Sequence, residues 1–155
     1  MKYTVFTLLC LFSLVSSAQK QEVNWLSFQE LEKALLNEPK KVMIHFYADW
    51  CVYCKKMEQV VYTKPAIEEE LASHYYAVKF NVESTDTIPF GGKKFLNLNV
   101  GKKRVAYHQI AELLAGQSDK KITLPAVVFL DEAFTIKQRL FRYISPKELL
   151  VLLQD

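Results

Sequence analysis

The sequence predicts an α/β fold in which helices cover both faces of a small mixed sheet. Apolar runs of strand length occur at 41–47, 75–82 and 126–130, and segments with helical periodicity stand between them. Capping boxes at Ser27 and Ser145 mark the start of a first and a last helix. Alternating elements of this kind are typical of layered α/β domains.

The first helix and strand follow from start and stop signals. The capping box that begins at Ser27 predicts a helix over 28–37, and Pro39 ends it. The run 41–47 comes next. Its mostly apolar character is typical of a strand that is covered on both faces.

A second helix is expected to begin near Cys51 and to run to about residue 61. The chain then pauses at 62–64, and Pro65 lies in the first turn of a further helical segment. Residues 75–82 follow as the second predicted strand.

The segment 83–105 is longer than the connection that a strand and the next helix normally need. Within it, the FGGK turn at 90–93 predicts a hairpin over 87–97. We interpret the segment as a surface insertion that shapes the choice of partner. The alternative is an elaboration without such a role.

The C-terminal part is predicted to hold a helix, a pair of strands and a last helix. Apolar residues at helical spacing, Tyr107, Ile110 and Leu114, mark the first of these helices, which Gly116 ends. The strands 126–130 and 135–141 pair through the turn between them. Proline follows Ser145 at the first position of the last helix, which runs through Leu153.

The first 18 residues carry the pattern of a secretory signal peptide. Lys2 supplies a positive charge, residues 5–15 are almost wholly apolar, and small residues at 16–18 offer a cleavage site. Cys10 lies inside the apolar run and is interpreted as part of the signal. We therefore expect export across the inner membrane to the periplasm, with an uncleaved anchor as the alternative.

Length and charge limit the remaining possibilities. Residues 19–155 are enough for a single domain that buries a core without cross-links. The net charge of +3 is only mildly basic, and Lys2 accounts for one of these charges. Because 102–104 is the only basic cluster, a solvated loop is favoured over a nucleic-acid surface.

Two cysteines three residues apart form the motif that says most about chemistry. The segment WCVYCK at 50–55 directly follows the strand at 41–47. If a helix begins near Cys51, the two sulfurs lie one turn apart on one face and can form a disulfide. The positive end of the helix dipole favours a thiolate at Cys51, the expected nucleophile. Cys54, one turn further in, is the expected resolving thiol.

Metal binding is the first alternative for these thiols. Tetrahedral zinc needs four ligands, and the mature chain adds only His45, His74 and His108, none at a paired ligand spacing. We therefore expect neither a metal site nor a cofactor, and keep a binding or metal-handling module as the alternative function. A purely structural disulfide is disfavoured because so short a loop constrains the unfolded chain little.

The combined motifs resemble the thioredoxin-like family. The resemblance rests on the order of elements, on WCVYCK at 50–55 and on TLPA at 123–126. The longer segment YADWCVYCK at 47–55 more closely resembles the C-terminal periplasmic domain of the disulfide-interchange protein DsbD. The resemblance covers about residues 24–155, interrupted by 83–105.

This resemblance implies a thioredoxin-like fold, with an insertion before the third main helix. It also implies an exported, monomeric thiol–disulfide oxidoreductase that exchanges disulfides with partner proteins. The pair between the cysteines, Val52 and Tyr53, is neither the Gly-Pro of thioredoxin nor the Pro-His of strong oxidases. A reductase or electron carrier, recharged by a membrane electron donor, is therefore favoured over a dedicated oxidase.

Several residues acquire roles through the resemblance. Pro125 matches the family's cis proline, which faces the cysteines and exposes the backbone of Leu124 for pairing with an extended substrate. Trp50 and Tyr53 would flank Cys51 as an apolar contact surface. The alternative for these two rings is that they cap the core.

His45 departs from the family pattern. The family has a buried acidic residue six positions before the first cysteine, where it assists proton transfer with the resolving thiol, and this chain has a histidine there. An imidazole can move a proton near neutral pH, and Glu58, one turn beyond Cys54, matches an acidic position of the DsbD domain. The alternative is that His45 is a core residue.

Overall fold

The computed structural model describes residues 22–118 and 121–155. The predicted signal peptide, 1–18, lies outside the described residues. The strands and helices follow one another in this order: β1 Trp25–Leu26, α1 Phe28–Asn37, β2 Lys41–Tyr47, α2 Val52–Lys56, a π-helical turn Met57–Val61, α3 Pro65–His74, β3 Tyr75–Asn81, β4 Ile88–Phe90, β5 Lys93–Phe95, α4 Gln109–Ala115, β6 Ala126–Leu130, β7 Ile136–Leu140 and α5 Pro146–Gln154.

The main sheet has five strands in the order β1-β3-β2-β6-β7. Strands β1, β3 and β2 are parallel, and β6 and β7 run antiparallel to their neighbours. Strand β2 pairs on both edges, and its residues 42–46 are buried. The predicted mixed sheet, with a strand covered on both faces, is confirmed.

Two clusters of buried apolar side chains hold helices against the two faces of this sheet. The first cluster includes residues of α1 and α4 together with both cysteines. The second includes residues of α3, α5 and the π-helical turn. Side chains alternate along β2, so Ile44 and Phe46 join the first cluster and Met43 joins the second.

Helix α1 begins where its capping box predicts. Ser27 Oγ accepts a hydrogen bond from the Glu30 amide, and the Glu30 carboxylate accepts one from the Ser27 amide at 2.8 Å. Strand β1 was not predicted, because two residues are too few to show a period. Its register, Trp25 beside Ala77, adds a short edge strand to the sheet.

The helix after the cysteines changes its hydrogen-bonding pattern midway. Helix α2 has only five residues, and the chain continues to Val61 as a π-helical turn in which the Tyr62 amide donates to the Met57 carbonyl. The predicted extent to residue 61 is confirmed, although one regular helix was expected. The predicted pause and the restart at Pro65 are also found.

The predicted hairpin in the insertion is present as β4 and β5. Gly91 and Gly92 both have positive φ, at 59° and 70°, which a tight turn of this kind requires. The Gly91 amide donates to Glu32 Oε1 on α1 at 2.7 Å, and the Phe90 ring packs against Phe28. The hairpin is therefore fixed on the first helix.

Helix α4 begins two residues later than its apolar pattern suggests. His108 caps it, because the ring Nδ1 accepts from the Ile110 amide at 3.2 Å. The predicted apolar residue Tyr107 lies before the helix and donates its hydroxyl to the Ile122 carbonyl. Strand β7 is slightly shorter than predicted, and α5 ends one residue after the predicted Leu153.

Candidate active site

Cys51 and Cys54 form a disulfide at the start of α2, with a Cα–Cα distance of 5.2 Å. Cys54 is fully buried, whereas Cys51 keeps 4% of its surface exposed. Their neighbours Trp50 and Tyr53 are each 59% exposed. The disulfide therefore lies at the surface end of a buried cluster, and Cys51 is the more accessible of the two residues.

Cys51 is the N-cap residue of α2. Its Sγ accepts a hydrogen bond from the Cys54 amide at 3.1 Å. In the reduced protein the same N–H group can stabilise a thiolate on Cys51, because it belongs to the first turn, whose amides lack partners within the helix. The local geometry expected from the sequence is confirmed.

The peptide bond between Leu124 and Pro125 is cis, as the resemblance predicts. Pro125 is buried and directly precedes β6, where Ala126 pairs with Phe46 near the end of β2. The same end of β2 leads into Cys51. Leu124 and Pro125 therefore lie at the end of the sheet that carries the cysteines.

Trp50 and Tyr53 stand on the surface beside the disulfide. The Trp50 indole Nε1 donates to Glu83 Oε2 at 3.1 Å, which ties this ring to the start of the insertion. The Tyr53 ring lies 6.3 Å from the ring of Tyr143. More than half of each side chain is exposed, so neither ring belongs to the buried core.

Tyr143 was not identified from the sequence. Its ring contacts Tyr53 and also lies 5.0 Å from Lys56 Nζ. Neither Tyr143 nor Glu83 belongs to a recognisable motif, and both reach the site across the fold. The arrangement of the strands in the sheet brings Glu83 and Tyr143 to the disulfide.

The structure places His45 and Glu58 side by side. His45 Nε2 lies 3.9 Å from Glu58 Oε1, and Glu58 Oε2 contacts Lys79 Nζ at 2.8 Å. Burial, with a smaller effect of the Lys79 charge, lowers the pKa of His45 to about 3. His45 is therefore neutral, and its approach to Glu58 is not an ion pair.

Aromatic rings surround His45. Its ring meets Tyr62 edge to face at 5.2 Å, stacks on Tyr47 at 6.2 Å and contacts Trp25. Among the residues that the structure describes, neither ring nitrogen of His45 finds a hydrogen-bond partner, and the buried hydroxyl of Tyr62 finds none either. Burial and then the Glu58 charge raise the pKa of Tyr62. His45 and Tyr62 therefore form a buried polar pair on the face of β2 that meets the second core cluster.

Residues 22–118 and 121–155 contain neither a metal-binding cluster nor a helix that could span a membrane. No three histidine, cysteine or acidic side chains in these ranges are grouped so that they could hold a metal ion. None of the helices in the same ranges is both long and apolar enough to cross a membrane.

A family model described as a thioredoxin-like domain matches residues 28–155. The chain belongs to the thioredoxin-like family. The match includes the cysteine pair, Leu124 and Pro125, and the predicted membership is confirmed.

Individual members of the thioredoxin-like family show the same relationship. The thiol:disulfide interchange protein DsbD of Actinobacillus pleuropneumoniae is 39% identical over an alignment of 64 residues, and the match covers 37% of this chain and 11% of that protein. The chain thus spans about a tenth of the length of the curated relatives it matches.

Two solved structures resemble the fold. A thioredoxin from Thermus thermophilus has a TM-score of 0.57 and 20% identity, with coverage of 86% of this chain and 85% of that one. The reduced C-terminal domain of DsbD from Neisseria meningitidis has a TM-score of 0.50 and 16% identity, with coverage of 81% and 90%. Both show the fold expected for the thioredoxin-like family.

The family membership and the Cys51–Cys54 disulfide confirm the predicted class, a thiol–disulfide oxidoreductase.

Proposed function

We propose that this protein is an exported reductase or electron carrier that exchanges disulfides with partner proteins through Cys51 and Cys54. The observation that carries the proposal is the disulfide at the start of α2, in which Cys51 is the more accessible residue and Cys54 is fully buried. A nucleophile and a resolving thiol need this asymmetry, because the partner must reach only one of them.

The reaction begins from the reduced pair. The Cys51 thiolate attacks one sulfur of the partner's disulfide, and a mixed disulfide forms while the partner's second sulfur leaves as a thiolate. The Cys54 thiol then loses its proton and attacks Cys51 Sγ. The Cys51–Cys54 disulfide forms, and the partner leaves with two thiols. The partner gains two electrons, which the cysteine pair loses.

The partner is proposed to bind as an extended segment beside the disulfide. The backbone of Leu124, held by Pro125 at the end of the sheet near the cysteines, would pair with it as an added strand. Trp50 and Tyr53 would supply the apolar contact, and their exposure and fixed positions support this role.

Glu58 is proposed to receive the proton that Cys54 loses, and His45 is proposed to assist this transfer. Glu58 stands one turn beyond Cys54, and its carboxylate lies 3.9 Å from the imidazole. We assign the exchange with the thiol to Glu58, because it follows Cys54 by one turn of the same helical segment. His45, whose ring stays neutral, would assist by orienting this carboxylate.

Export and recharging complete the proposal. Residues 1–18 would direct the chain across the inner membrane, and residues 19–155 would act in the periplasm as a monomeric domain. A membrane electron donor would restore the two thiols after each cycle. The name of the DsbD relatives, thiol:disulfide interchange proteins, supports protein disulfides as the substrate class.

Reduction of insulin is the experiment that tests this function. With dithiothreitol as the recharging reductant, the protein is expected to accelerate the precipitation of the insulin B chain well above the rate with dithiothreitol alone. A redox-inert module that uses its cysteines only as ligands would give no acceleration. That outcome would overturn the proposal and favour the metal-handling alternative.

A further inference from the structure

The insertion presents an unusual surface next to the disulfide. Between Asp86 and Glu112 the chain has five basic residues and no acidic one, namely Lys93, Lys94, Lys102, Lys103 and Arg104. All five are exposed, and within residues 22–118 and 121–155 none of them forms an ion pair. These cations are therefore available to the carboxylates of a partner.

Exposed apolar side chains lie between these charges. Leu96, Leu98, Val100 and Val105 expose between 41% and 53% of their surface. Beside them, an open groove of about 460 Å³ is lined by residues of β5 and α4, namely Lys93, Lys94, Phe95, Gln109, Glu112 and Leu113. We call residues 93–105 the basic insertion. Its mixture of cations and apolar side chains is typical of a docking surface.

The basic insertion is held in place rather than hanging free. Asn97 Nδ2 donates to the carbonyls of Ser84 and Ala106, at 3.1 Å and 2.7 Å. The Leu96 amide donates to Gln109 Oε1, and the Gln109 amide donates to the Leu96 carbonyl. A surface fixed in this way loses little conformational freedom when a partner binds.

The same hydrogen bonds connect the basic insertion to the disulfide. Asn97 is bonded to Ser84, the next residue is Glu83, and Glu83 accepts from the indole of Trp50. Trp50 directly precedes Cys51. A protein whose disulfide reaches Cys51 therefore comes close to the basic insertion as well.

We propose that the basic insertion binds an acidic segment of the partner protein, with apolar residues among its carboxylates, while the partner's disulfide reacts at Cys51. The inference rests on the proposed function and adds the chemical class of the partner. Opposite charge selects the acidic segment and speeds the encounter, and the exposed leucines and valines hold it in place. An anionic membrane would satisfy the charges too, but continuity with Trp50 favours the molecule that carries the disulfide.

Two matched synthetic peptides test this proposal. Both contain the same intramolecular disulfide loop. In the acidic peptide the loop is flanked by a segment of glutamates and leucines, and in the control peptide each of these glutamates is replaced by glutamine. We expect the reduced protein to react about tenfold faster with the acidic peptide at low ionic strength. The difference should disappear in about 0.5 M salt, which screens exposed charges.

A pair of triple variants assigns the effect to the basic insertion. Lys102→Gln, Lys103→Gln and Arg104→Gln together should remove most of the preference for the acidic peptide. The control removes three equally exposed cations elsewhere, by Lys33→Gln, Lys64→Gln and Lys147→Gln, and should keep the preference. Equal alkylation rates of Cys51 in both variants would show that the site itself is intact.

The other outcomes overturn the inference in distinguishable ways. Equal reduction of both peptides by the unaltered protein contradicts an acidic partner and leaves the proposed function standing. Reduction of neither peptide contradicts the proposed function and the inference with it. Binding to phosphatidylglycerol vesicles that depends on 102–104, without any peptide preference, would assign the surface to a membrane instead.

Discussion

Substitution Cys51→Ser is expected to lower insulin reduction to the rate of dithiothreitol alone, a loss of at least about a hundredfold in the catalysed rate. A serine hydroxyl does not form a mixed disulfide, so the first step of the reaction is lost. Substitution Cys54→Ser should lower turnover similarly, but it leaves the nucleophile in place. Turbidity of the insulin B chain measures both variants.

The two variants differ in what they trap. In the Cys54→Ser variant, the mixed disulfide between Cys51 and insulin meets no resolving thiol and should persist. It should appear as a conjugate band on a non-reducing gel, and the band should disappear when the sample is treated with dithiothreitol. Cys51→Ser serves as the matched control and should trap little. Trapping by Cys51→Ser instead of Cys54→Ser would reverse the assignment of nucleophile and resolving thiol.

Acidification is expected to destabilise the fold through His45. The pKa of His45 is about 3 in the folded protein and near its ordinary 6.5 in the unfolded chain, because burial penalises the charged ring. The unfolded chain therefore binds the proton first. The contribution of the neutral His45 ring to the free energy of unfolding is fully present above pH 6.5 and is lost as the pH falls toward 3. Between pH 6.5 and about 4.5 the loss should be about 2 to 3 kcal/mol.

Substitution His45→Phe isolates this effect. Phenylalanine keeps an uncharged ring among Trp25, Tyr47 and Tyr62, and it does not titrate. Burial also lowers the pKa of His108, but that histidine is present in both proteins. Urea unfolding at several pH values should show a free energy of unfolding that falls less steeply with acid in His45→Phe. Parallel curves for the two proteins would show that His45 is not a buried neutral base.

Local signals predicted most of the fold. The capping boxes at Ser27 and Ser145 identified two helix starts, because each depends on residues only three positions apart. The FGGK turn identified the hairpin for the same reason. Two elements were not predicted. Edge strand β1 depends on contacts between distant segments, and the π-helical turn differs from an α-helix only in hydrogen bonding that sequence patterns do not distinguish.

The candidate site divides in a similar way. The cysteine pair and Pro125 carry motifs, so the sequence identified them and the structure places them at one end of the sheet. Glu83 contacts Trp50, and Tyr143 contacts Tyr53, in each case from another part of the fold. No local sequence pattern predicts either contact. His45 and Glu58 were each identified as candidates for proton transfer, whereas their approach to each other and the buried ring of Tyr62 beside His45 were not predicted.

Electron transfer from the cysteine pair to a protein disulfide is the central claim, and a single-turnover experiment measures it directly. The reduced protein, freed of dithiothreitol, is mixed with excess insulin, and the new disulfide in the protein and the new thiols in insulin are quantified by differential alkylation and mass spectrometry. We expect one Cys51–Cys54 disulfide to form for each insulin disulfide that is lost. Retention of both protein thiols while insulin stays oxidised would contradict the claim.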